Sequence, residues 1–72
     1  MTTLTMLPLQ VNGQPRSVAA GTSVRALLES IGVDPELVAV EINRDLVRRA
    51  EHGTRLLAAG DKVEIVEFVG GG

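Results

Sequence analysis

Seventy-two residues with no cysteine and a single histidine exclude a disulfide framework, a thiol nucleophile and any cysteine or multi-histidine metal cluster, and they suffice for one domain with a small core. A net charge of −2, from seven basic and nine acidic residues, gives no basic stripe for nucleic acid, and no stretch approaches the ~20 apolar residues of a membrane span. With no Trp, no Tyr and one Phe the core has to be aliphatic; the N-terminus lacks the basic region and long apolar run of a signal peptide, so the cytoplasm is the expected location.

Leu7, Leu9 and Val11 alternate with Pro8 and Gln10, which predicts a half-buried strand. Its paired part is expected to start at or after Pro8, because proline cannot donate to a ladder. Asn12-Gly13 predicts a tight hairpin turn, since both residues tolerate positive φ, and the chain returns through Arg16, Ser17 and Val18. In "AAGTSVRALLESIG", Val24, Leu27, Leu28 and Ile31 fall on one stripe of a helix. Thr22 or Ser23 is suited to cap its first turn and Gly32 to end it, with Arg25 and Glu29 on the outer face. Asp34-Pro35 starts a turn. Val38, Val40 and Ile42, alternating with Ala39 and Glu41, then predict a third strand.

The following stretch, "RDLVRRAEHGTRLLAAGD", is irregular. Leu46-Val47 reads as a short strand, Leu56-Leu57 as a cap over the core and Gly60-Asp61 as a turn. His52, set among polar neighbours, is expected in an exposed loop without a metal-binding or catalytic partner, and Arg48-Arg49 as a solvated pair. "KVEIVEFV" is the last strand.

One helix covers one face of such a sheet and leaves the other to water or a partner. Val63 and Ile65 share one face of the last strand; Glu64, Val66 and Phe68 share the other. Two large apolar groups on the uncovered face exceed what solvation requires and read as a docking patch; a bulge or plain β-propensity is the alternative. Glu64 and Glu67 are suited to basic groups on a partner or to solvent. Gly70, Gly71 and Gly72 pack nothing and order at the highest entropic cost, but an extended glycine chain can enter a channel too narrow for any Cβ. It would deliver one functional group, the terminal carboxylate. That anion is a poor electrophile and would need activation by a partner, most simply as an acyl-adenylate. On the residues alone, a frayed terminus remains the other reading.

The order hairpin, helix, strand, final strand running into glycines resembles the β-grasp, ubiquitin-like fold. That implies an α+β domain over residues 1–69, a mixed four- to five-stranded sheet packed on one main helix, with residues 70–72 as a flexible tail. Within that fold, "LQVNGQPRSV", "GTSVRALLESIG", "VAVEIN" and "GDKVEIVEFVGGG" resemble the ThiS family of sulfur carriers of thiamin biosynthesis, over nearly all of Leu7 to Gly72. One departure is local: the family usually has Asn-Gly after the third strand and a proline soon after, where this chain has Asn43-Arg44 and then "LVRRAEH". The resemblance implies a carrier that does no catalysis and binds no cofactor. A ThiF-like adenylating enzyme would use ATP to load AMP on the Gly72 carboxylate. Sulfur from a cysteine desulfurase persulfide would convert it to a thiocarboxylate, and a ThiG-like thiazole synthase would take up that sulfur. Gly71 and Gly70 would supply clearance, and Val66, Phe68 and Val69 a partner surface. No nucleic-acid or membrane partner is implied, and a monomer is expected. The alternatives are the small subunit of molybdopterin synthase, a β-grasp binding module, or a protein-conjugating modifier, against which the single lysine, Lys62, counts.

Overall fold

The computed structural model describes residues 5–68. Strands β1 (Met6–Val11) and β2 (Gln14–Ala19) form a hairpin and helix α1 (Val24–Ile31) follows; β3 (Val38–Ile42) and β4 (Asp45–Val47) form a second hairpin, and β5 (Lys62–Glu67) closes the fold. Short 3-10 turns lie at Pro35–Leu37 and Arg49–Glu51. The five strands make one sheet in the order β2-β1-β5-β3-β4. Only the β1–β5 contact is parallel, so the first hairpin and the last strand meet at the centre. Among the described residues, no helix is long and apolar enough to cross a membrane.

The first strand begins earlier than the sequence suggests. Met6 already pairs with Ala19, and Pro8 stands opposite Ser17 within the ladder. Hydrogen-bonding direction explains this: the amides of Gln10 and Asn12 donate to Asp61 and Val63 on the β5 side, so Pro8, of the same parity, turns its missing N–H away from β2. Asn12 and Gly13 occupy the two-residue turn, both with positive φ, 50° and 80°.

Helix α1 is satisfied at both ends. At its start the Val24 amide donates to Arg55 O, the Arg25 amide to His52 O and the Ala26 amide to Ser23 Oγ. At its end Gly32 sits at φ 89°, with the Gly32 amide on Glu29 O and the Val33 amide on Leu28 O. Val24, Leu27 and Leu28 are buried against Leu9, Val18, Val38, Val40, Ile42, Val47, Leu57 and Val63 in an entirely aliphatic core.

The loop after β4 corrects the expectation for His52. The residue is 2% exposed, not solvated. Its backbone carbonyl caps the helix, and its ring Nε2 lies 3.2 Å from Val47 O. A carbonyl can only accept, so Nε2 carries the proton; Nδ1 is buried without a partner among the described residues. The polar neighbours in the sequence are exposed, but the 3-10 turn before His52 and the carbonyl bond to the helix hold this one residue under α1. Leu57 closes the core beside it, while Leu56 is exposed. Arg49 is not simply solvated either: its guanidinium meets Glu36 Oε2 and Glu36 O, each at 3.1 Å, tying the two 3-10 turns together on the surface.

Leu28 is fully buried at the centre of the helix stripe. Leu28→Ala is expected to cost about 2–5 kcal/mol, a large share of a small domain's stability, as read by chemical denaturation.

Candidate functional site

The candidate tail follows β5, a strand paired along both of its edges. The strand pairs with β1 through Gln10↔Lys62 and Val11↔Val63, and with β3 from Ile42↔Val63 to Val38↔Glu67 without a bulge. Two asparagine side chains fasten it further, one from each flanking hairpin turn. At its start, Asn43 Oδ1 accepts the Lys62 amide at 3.0 Å, while Asn43 Nδ2 donates to Asp61 Oδ1 at 3.0 Å. Further along, Asn12 Oδ1 accepts the Ile65 amide at 2.7 Å and Asn12 Nδ2 donates to Ile65 O at 3.2 Å. Asp61 is buried, held also by the Ala58 amide on Oδ2.

The strand ends for an identifiable reason. Phe68 donates its amide to Leu37 O at 2.8 Å, one rung past the end of β5. Leu37's own amide is already bound to Asp34 O in the 3-10 turn, so it cannot return the second bond of that rung. Among the described residues the β3–β5 ladder therefore ends on this half-made rung.

Register sorts the side chains. Val63 and Ile65 share the helix face with Ile42 and Val40. On the open face Val66 lies opposite Ala39, and Glu64 opposite Glu41, which in turn faces Leu46. Val66 is 57% and Phe68 54% exposed, Leu37 is exposed beside Phe68, and Leu46 is exposed on the edge strand β4, across Glu41. The open face thus carries an apolar strip at the tail end, bounded by two carboxylates placed directly across from one another, an arrangement that costs energy unless a cation joins it. Beyond these, Arg44 and Lys62 line a shallow depression with Asn43 and Glu64. Arg44 adopts φ 73°, the left-handed conformation in which glycine is usual, so Asn43-Arg44 makes the turn without a glycine and with some strain at Arg44.

Val66 and Phe68 thus lie where the sequence places them, away from the helix. Val69, Gly70, Gly71 and Gly72, and the domain boundary before Gly70, lie outside the described residues. Among the described residues there is no group of three or more His, Cys, Asp or Glu side chains able to hold a metal ion.

The family model for ThiS matches residues 9–72. The chain belongs to the ThiS family. It is 37% identical over 62 residues to the sulfur carrier protein ThiS of Thermus thermophilus, covering 86% of this chain and 95% of that protein. The crystal structure of the thiamine biosynthesis protein ThiS from Geobacter metallireducens superposes with a TM-score of 0.74 at 34% identity, covering 92% of this chain and all of that one, so the fold is the β-grasp expected. A thiazole synthase of Magnetococcus marinus is 41% identical over 66 residues; that match covers 92% of this chain but only 20% of the synthase's length.

The asparagine fastenings were not foreseen. Asn-Gly and Asn-Arg announce a turn with positive φ; they do not say that the side chain crosses to a third strand, which depends on where β5 lies. Among the apolar side chains of the open face, Phe68 packs outside the core cluster. Phe68→Ala is therefore expected to shift stability by no more than about 0.5 kcal/mol, measured by urea denaturation, in contrast to Leu28→Ala.

Proposed function

We propose that the chain is a sulfur carrier for the thiazole of thiamin, a covalent co-substrate of other enzymes and not a catalyst. The observation that carries this reading is the family match running through Gly72, joined to a strand whose ladder stops at Phe68. Four residues follow Phe68, and extended they would reach roughly 13–14 Å beyond the sheet. The tail Val69–Gly72 would deliver the Gly72 carboxylate into a narrow active site, with Gly71 and Gly70 providing clearance.

The chemistry follows from the weakness of a carboxylate as an electrophile. A carboxylate oxygen of Gly72 attacks the α-phosphorus of ATP on a ThiF-like adenylating enzyme, and pyrophosphate leaves. A persulfide sulfur, supplied through a cysteine desulfurase, attacks the acyl carbon and AMP leaves. Cleavage of the resulting S–S bond by a thiol releases the thiocarboxylate. A ThiG-like thiazole synthase then takes the sulfur; the similarity of a fifth of the Magnetococcus thiazole synthase to this chain supports that partner. The apolar strip around Val66 and Phe68 would dock against the adenylating enzyme, with Val69 continuing it. The Glu41–Glu64 pair would meet basic groups there.

The test is twofold. Intact-mass analysis of the chain from its native cells is expected to show a population heavier by the exchange of one oxygen for sulfur. Deleting Gly72 shortens the tail by about 3.3–3.6 Å, roughly the whole separation at which atoms react, so ATP–pyrophosphate exchange with the adenylating enzyme is expected to stop while the melting curve is unchanged. Exchange at the parent rate without Gly72 would remove the basis of the reading. Phe68→Ala, folded normally, is expected to weaken binding to the same enzyme.

A further inference from the structure

We propose that Asn12 is a positioning residue for the tail: by fastening Ile65 it fixes the direction in which β5 leaves the sheet. The inference rests on the carrier reading above and concerns a residue distant in sequence from the tail.

The geometry is that of a strand continued by a side chain. The last backbone bond from β1 to β5 is the Asn12 amide to Val63 O, after which the hairpin turns away at Gly13. The next groups of β5 on that side belong to Ile65. A carboxamide presents a donor and an acceptor side by side, as a peptide unit does, and Asn12 offers both to Ile65, at 2.7 and 3.2 Å. The side chain thus replaces the residue that β1 does not supply. Its left-handed backbone, φ 50°, is what turns the carboxamide back toward β5.

What lies downstream gives this fastening its role. Val66, Glu67 and Phe68 follow Ile65 directly, and they are joined to β3 and to Leu37 on their other side. With Ile65 bonded to Asn12 on one edge and the groups of Glu64 and Val66 turned to β3 on the other, the exit segment is held as part of a plane. Without Asn12, this stretch of β5 is held from the β3 side alone, through Glu64 and Val66, so the exit segment can twist about that ladder, and the order lost has to be restored when the tail enters a partner.

Asn43 provides an internal control. It too has positive φ, 52°, it too fastens β5 by its carboxamide, but it acts on Lys62, at the opposite end of the strand from the tail. Glycine suits both backbone conformations, so Asn12→Gly and Asn43→Gly each remove a fastening without strain at φ.

The experiment compares the parent, Asn12→Gly and Asn43→Gly in three measurements: the thermal melt, amide hydrogen exchange at Ile65, and ATP–pyrophosphate exchange with the organism's own ThiF-like adenylating enzyme as the carrier concentration is varied. Both variants are expected to melt somewhat earlier than the parent. Only Asn12→Gly is expected to speed Ile65 exchange, by at least about tenfold. Only Asn12→Gly is expected to raise the KM for the carrier, about tenfold for one further residue to be re-ordered on binding, with kcat within about twofold of the parent. An unchanged KM in a folded Asn12→Gly, an equal rise in Asn43→Gly, or an unaltered Ile65 exchange rate each overturns the proposal. A parent that is folded, protected at Ile65 and yet inert toward the adenylating enzyme overturns the carrier reading, and this role with it; an active parent with an indifferent Asn12→Gly overturns this role alone.

Discussion

The last strand is also a central one, and the rest of the molecule is arranged to make that possible. β5 enters between β1 and β3, strands set down long before it in the chain, and takes hydrogen bonds along both edges. Each flanking hairpin turn then reaches over with an asparagine carboxamide, Asn43 at the start of the strand and Asn12 near its end. Both residues adopt left-handed backbone that costs little for asparagine, and the conformation that makes the turn also aims the side chain. In the carrier proposed above, glycines without side chains would take their direction from the strand before them.

The segment between β4 and β5 serves the same end from the other side of the molecule. It contains little regular structure, yet its carbonyls at His52 and Arg55 satisfy the first two amides of α1, and Leu57 and the His52 ring close the core beneath the helix. With helix and loop both on one face, the opposite face of the sheet is left uncovered. Val66 and Phe68 stay exposed there at the end of β5 with Leu37 beside Phe68, and Leu46 is exposed on the edge strand β4. An apolar strip at the end of β5 fits the partner surface of the carrier proposed above.

Much of this is legible in the sequence because the elements obey short-range rules. The helix is set by its apolar stripe and by Ser23 and Gly32 at its ends; the faces of β5 follow from strict alternation, which holds because the β3–β5 register contains no bulge. What escapes is long-range. Pro8 is tolerated inside β1 because of the direction its nitrogen faces, which depends on β5 lying on that side. His52 is buried because a helix sits on it, a fact absent from its polar neighbours. The two asparagine fastenings join residues 53 and 19 positions apart, beyond any local pattern. The Asn43-Arg44 turn shows the converse: no glycine is present, and Arg44 takes the left-handed conformation at some cost in strain.

The central claim is that β5, doubly paired and doubly fastened, is the most firmly held element of the fold. Native-state amide hydrogen exchange, resolved by residue across the chain, tests it directly. The amides of Glu64 and Val66, which alternation with the Asn43–Lys62 and Phe68–Leu37 bonds directs toward β3, are expected to exchange only through global unfolding. Helix α1, a single short element packed on one face, is expected to open no later than the strand. If the amides of α1 outlast those of β5, or if Glu64 and Val66 exchange by local opening, the last strand is not the anchor described here.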